Sequence, residues 1–128
     1  MDLPVVQARK LVERNKLTWI DNVYQGSVPE GVVNDTSTTD VVISEYVNEP
    51  TRYANSRFKG WEIGVEVQIF YAESTKINIQ DAEITFLRIF ENDGWSVDQS
   101  KHHSKDPDTG QVSKVFYFTK KFNLKEGI

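Results

Sequence analysis

The chain has 128 residues, enough for one domain with a real core, and its 38% hydrophobic and 27% charged content is that of an ordinary globular protein. It contains no cysteine, which excludes disulfide staples and cysteine-held metals and fits a reducing compartment. No apolar run approaches the ~20 residues that cross a bilayer, Asp2 and Pro4 sit where a secretory signal would begin, and the net charge of −4 is mild.

Asp2 is placed to cap a first helix, with Pro4 tolerated in its opening turn where the missing N–H costs nothing. Val5, Ala8, Leu11, Val12 and Asn15 follow a helical stripe, while Gln7, Arg9, Lys10, Glu13 and Arg14 face out. Arg9 and Glu13 are spaced to pair, and the helix is predicted to end near Asn15 or Lys16. Leu17 to Gln25 fits no single period. Gly26, Pro29 and Gly31 then mark a loop that Asn34 to Asp40 prolongs with seven small polar residues. Val41, Val42, Ile43, Tyr46 and Val47 form a strand predicted to break at Asn48–Pro50. Thr51 to Gly60 reads as a second polar connection carrying Arg52, Arg57 and Lys59, with Arg57 and Phe58 also placed to open the next strand.

Trp61 to Tyr71 is the clearest signal in the chain. Trp61, Ile63, Val65, Val67, Ile69 and Tyr71 fall on one parity; Glu62, Gly64, Glu66 and Gln68 fall on the other, with Phe70 the exception. Period two puts the first set on one face of a strand, whereas a helix would scatter it. Burying six such side chains is worth roughly 10–15 kcal/mol before entropy, as an upper bound. This is the predicted central strand of an antiparallel sheet with one covered and one wetter face. Asn78 can cap a second helix in which Ile79, Ala82, Glu83, Phe86, Leu87 and Phe90 recur at helical spacing, and Gly94 supplies its left-handed close. Trp95 and Val97 start another strand, Asp106–Gly110 is a strong turn, and Val112 to Phe122 returns with Phe116, Phe118 and Phe122 on one parity. The expected fold is a single α+β domain over residues 1–128, with a mixed or antiparallel sheet of four to five strands and two main helices in the order helix–strands–helix–hairpin.

Catalytic constellations are thin. His102 and His103 are adjacent, so in a strand they would point to opposite faces and could not share a metal; both are expected to face solvent. Nucleotide-loop, zinc-protease, nucleophile-elbow and calcium-loop motifs are all missing. Asp106 and Asp108 flank Pro107 and are expected to bond the turn's backbone. Glu62 and Glu66 share a strand face, which a solvated sheet explains without acid–base work. No catalytic, cofactor-binding or metal-binding residue is nominated, and an enzyme is not expected. Lysines alternate with aromatics in SKVFYFTKKF, a pattern that can meet phosphates and bases. Against it, the chain is acidic and the phenylalanines are wanted for the core.

Charge is unevenly spread. Lys101 to Lys125 holds six lysines against Asp106 and Asp108, a balance of +4, and the remaining nine basic and seventeen acidic side chains stand at −8. Such polarity can orient the molecule against a copy of itself or another partner; the plainer reading is lysines guarding an exposed sheet edge. Together with two long polar loops, Gly26–Asp40 and Asn48–Lys59, this points to an interaction protein. Gln25, Gly26, Ser27, Asn34, Asp35, Thr36 and Arg57 are the contact candidates on loop grounds.

The DLPVVQARKLVE helix, Tyr24-Gln25-Gly26-Ser27-Val28-Pro29 at the loop entry, the VVISEY and WEIGVEVQIFY strands and the INIQDAEITFLRIFENDGW helix come in an order that covers nearly the whole chain. That succession resembles the small tail-terminator, or tail-completion, proteins of long-tailed bacteriophages, in particular those of siphophages and prophages of Gram-positive hosts such as lactic acid bacteria and staphylococci. The resemblance implies helices on one face of the sheet and copies joined in a ring, most often a hexamer. Such a ring caps the tail tube and offers its other face to the head–tail connector. Its partners would be itself, the major tail tube protein and the connector, in the virion and, during assembly, the host cytoplasm. No membrane partner or specific nucleic acid is expected, although DNA would pass through the ring, past an acidic lining. A head–tail connector, adaptor or stopper is the alternative within that setting; a small nucleic-acid-binding module or a small catalytic domain is the alternative outside it.

Overall fold

The computed structural model describes residues 1–29 and 35–125. The alternating stretch lies at its centre. Strand β3 (Arg57–Phe70) runs antiparallel between β2 (Asp40–Ala54) and β6 (Val112–Asn123). The short β1 (Asn22–Gln25) lies parallel to the start of β2, while β4 (Ser96–Ser100) and β5 (Ser104–Lys105) pair with the far side of β6. The result is a six-stranded mixed sheet of order β1-β2-β3-β6-β4, with β5 also on β6. Ile63, Val65, Val67, Ile69 and Tyr71 are all buried, as are Val41 and Ile43 from β2 and Phe116 and Phe118 from β6. Register sets them side by side: Ile43, Val67 and Phe116 align across three strands, and Val65 faces Phe118.

Helices α1 (Pro4–Arg14) and α2 (Ile79–Asn92) insert Ala8, Leu11 and Val12, and Phe86 and Phe90, into this same core. Both therefore cover one sheet face, and the domain is α+β. The α2 helix starts on Asn78, whose side chain accepts from Asp81 N at 3.0 Å. It closes with Gly94 N on Glu91 O and Trp95 N on Phe90 O, both at 3.0 Å, and Gly94 at φ +97. Those two bonds satisfy carbonyls that a helix end otherwise leaves open, and Trp95 folds back on Phe90 at 5.9 Å. Asp93 gathers the neighbours: Arg14 reaches its carboxylate at 2.9 Å, Trp95 Nε1 donates to it at 3.2 Å, and Lys120 Nζ donates to its carbonyl at 2.8 Å. A cation at a helix C-terminus is favourable on dipole grounds.

Several expectations are corrected. Asp2 does not cap α1, whose N-cap is Leu3 without a side-chain cap; its carboxylate is bound by Lys10 Nζ at 2.9 Å, and that lysine holds it below the usual carboxylate range. Asn15 is exposed, and Pro4 joins the buried stripe. The lysine-guarded edge holds only in part: Lys114, within the interior stretch of β6, is buried, whereas Lys105 lies on the outer β5 and Lys120 and Lys121 lie past the last β6 residue that pairs with β4. The largest correction concerns Asn48–Lys59. It is not a loop. β2 continues through Asn48–Pro50 to Ala54 and turns directly into β3. Proline is tolerated there because β1 pairs only with Asp40–Ile43, leaving the rest of β2 an edge strand. A bulge between Glu45 and Val47 shifts the register on the way.

The turn consists of Asn55 and Ser56 at φ 52 and φ 62, between the paired residues Ala54 and Arg57. Both central residues of a type I′ turn need positive φ, which glycine adopts freely and serine does not. Ser56→Gly is therefore expected to stabilise the domain by roughly 0.5–1 kcal/mol, read as a higher denaturation midpoint at unchanged slope.

Candidate interaction surface

The β2–β3 hairpin outruns the sheet. β6 accompanies β3 only as far as Gly60, so Thr51–Lys59 stands as a two-stranded arm, with one further backbone bond from Leu124 N to Lys59 O at 3.0 Å. Two-stranded ribbons are marginal by themselves, and side chains brace this one. Tyr53 and Phe58 pair across the strands at 6.3 Å, Phe58 packs on Trp61 at 5.7 Å, and Arg52 donates to Asn123 Oδ1. Arg52 itself sits at φ 53, an uncommon conformation for a non-glycine residue. Tyr53 remains 67% exposed. At the root of the arm, Met1, Leu3, Phe58, Trp61 and Leu124 line an apolar groove of about 370 Å³.

A second concavity, about 460 Å³, opens at the other end of the sheet, where β2 begins and β3 ends. Val28, Phe70 and neutral polar residues such as Gln68 and Gln111 line it together with Asp35, Asp40 and Asp106, and Lys105 is the single cation among the described lining residues. Each aspartate is fixed in place. Asp40, buried, accepts from Asn22 Nδ2 at 2.8 Å and Thr38 Oγ1 at 3.1 Å. Asp106 accepts from Asp108 N at 2.8 Å. Asp35 accepts from the hydroxyl and the backbone N–H of Ser37, which hold its carboxyl below the usual range. None of the three forms an ion pair among the described residues. Their field reaches Tyr24, whose hydroxyl is pushed up by burial and then by Asp40 and Asp35.

The nominated residues divide between these two ends. Asp35 lines the cleft. Thr36 is tied beside it, donating to Glu73 Oε2 at 3.1 Å and accepting from Glu73 N at 2.9 Å. Gln25, Gly26 and Ser27 are exposed on the outer edge at the end of β1, with Gln25 opposite Ile43. Asn34 lies outside the described residues. Arg57 is on the arm, thirteen strand steps or about 43 Å from Phe70. Sequence reasoning missed the cleft because Asp40, Phe70 and Asp106 are far apart in the chain. It missed the arm because Asn-Ser is a weaker hairpin signal than Asn-Gly.

Among the described residues a buried titratable cluster lies elsewhere. Glu83, only 4% exposed on the inner face of α2, accepts from Tyr71 Oη at 2.7 Å and lies 2.7 Å from His103 Nε2. Both histidines are exposed, as expected, and His103 in addition lies against Glu83. The three fasten α2 to the end of β3 and to the β4–β5 connection, outside both concavities described above. Among the described residues no group of three or more side chains is arranged to hold a metal ion, and no helix is long and apolar enough to cross a membrane.

The described residues thus define an α+β domain with a two-stranded arm and an acidic cleft at opposite ends of its sheet. The chain belongs to the DUF806 family, described as a protein of unknown function, whose family model matches residues 2–123. No protein of curated function matches it.

Burial and the Glu83 carboxylate push the Tyr71 hydroxyl far above its ordinary value. Its neutral form is therefore favoured in the fold. That stabilisation is complete below the unfolded pKa of about 10 and is lost as pH rises beyond it toward the folded value. Between about pH 10 and 11.5 the unfolding free energy of wild type should fall by about 1.4 kcal/mol per pH unit more steeply than that of Tyr71→Phe. Equal slopes in denaturant titrations would show that Tyr71 is not held neutral.

Proposed function

We propose that this protein is a structural component of a bacteriophage virion, the tail terminator, which caps the tail tube as a ring and helps join tail to head. The observation that carries the reading is the two-ended layout: a basic and aromatic arm at one end of a stiff sheet, an acidic cleft at the other. Rings form from heterologous contacts, in which two different patches of one chain meet on successive copies. A chain with unlike patches at opposite ends is suited to that geometry. The order of helices and strands, which resembles that of tail-completion proteins, adds the setting. The partners would then be further copies of itself, the tube protein below and the connector above.

Deleting the gene from its phage or prophage and imaging the lysate by electron microscopy tests this. Filled heads beside tails of uncontrolled length are the expected result. Tails of normal length beside unattached heads would move the protein to the connector side of the joint, and intact infectious particles would overturn the reading.

A further inference from the structure

We propose that the arm of one copy docks in the acidic cleft of the next, so that the Tyr53–Arg57–Lys59 tip sits against Phe70 between Asp35 and Asp106. This rests on the ring reading and specifies the contact that would close the ring. Charge complementarity is the first argument. Thr51–Gly60 carries Arg52, Arg57 and Lys59 with no acid, so it holds +3 of a chain totalling −4, and the remainder of each copy stands at −7. The strongest nearby attraction for such an arm is therefore the body of another copy. Arg57 and Lys59 make no ion pair among the described residues, and neither do the three cleft aspartates.

Shape and position supply the rest. Phe70 lines the cleft together with Asp35, Asp40 and Asp106, and the arm carries the exposed Tyr53 along with Arg57 and Lys59. Tyrosine and arginine in a desolvated pocket are the usual anchors of an interface. The arm and the cleft lie about 43 Å apart on one strand, too far for an arm to fill its own cleft. Docking must be between copies and must run head to tail.

Two reciprocal variants test the contact. Arg57→Glu/Lys59→Glu turns the arm from +3 to −1. Asp35→Lys/Asp106→Asn turns the cleft lining from −2 to +1, while the introduced amide keeps an oxygen to accept the turn's N–H bonds. Sedimentation velocity on the full chain, with thermal melts to verify folding, reads the outcome. Wild type should self-associate, each variant alone should do so at least about tenfold more weakly, and an equimolar mixture should recover, because every arm then finds an opposite charge. Variants that associate as wild type does would overturn the arm–cleft contact and leave the ring reading standing. A wild type that stays monomeric at every concentration would overturn both. Binding of a short DNA duplex that is lost in Arg57→Glu/Lys59→Glu, with association unchanged, would assign the arm to nucleic acid and overturn the inference.

Discussion

Phe90 lies on Phe118 with ring centroids 3.9 Å apart and planes within 11° of parallel, and the rest of the domain is arranged around that contact. Phe118 is where β6 meets Val65 of β3, and Phe90 is the last buried residue of α2 before its closing turn. One stack therefore ties the central strand, its neighbour and the second helix together. Phe86 extends it toward Phe116 and toward Trp19, and Trp95 closes it from the other side. A core of large rings is sensitive to shape, since gaps between planar groups cannot be filled by small shifts. This is why the end of α2 is held so firmly. Asp93 fastens it to α1 and β6, and the Gly94 turn aims Trp95 back into the stack.

Once those rings cover one face of the sheet, the opposite face is left without a helix among the described residues. It is not featureless. Gly64 lies beneath Tyr46, where an added Cβ would come within 3.0 Å of the tyrosine ring. The missing side chain lets Tyr46 lie across β3 and meet Tyr117 at 4.7 Å, with its hydroxyl on Asp98 at 3.1 Å. That small aromatic bridge keeps the open face taut between the arm and the cleft. A stiff link preserves the separation and relative direction of the arm and the cleft.

The sheet-forming core is legible from residue order because it follows from local periodicity. The β3 alternation, the Asn78 cap, the Gly94 close and the paired phenylalanines of β6 each depend on neighbours within one element. What stays hidden depends on partners distant in sequence. Pro50 reads as a breaker unless β2 is known to be an edge. Glu83 reads as one member of a helical stripe unless Tyr71 and His103 are known to meet it. Lys114 reads as an edge guard unless β4 and β5 are known to lie outside its stretch of β6. Arg57 is exposed and opens β3 rather than closing a loop. Its distance from Asp35 has no signature in the chain.

The outer border of β2 carries one more implication. From Ser44 to Ala54 its backbone donors and acceptors on that side have no strand partner among the described residues, a condition that invites sheet-to-sheet addition without limit. Here the border is bent by the bulge near Tyr46, deprived of a donor at Pro50, and studded with Glu45 and Glu49. A neighbouring strand approaching sideways meets repulsion and broken register. Growth by lateral zippering, the route to fibrils, is thereby discouraged along this border.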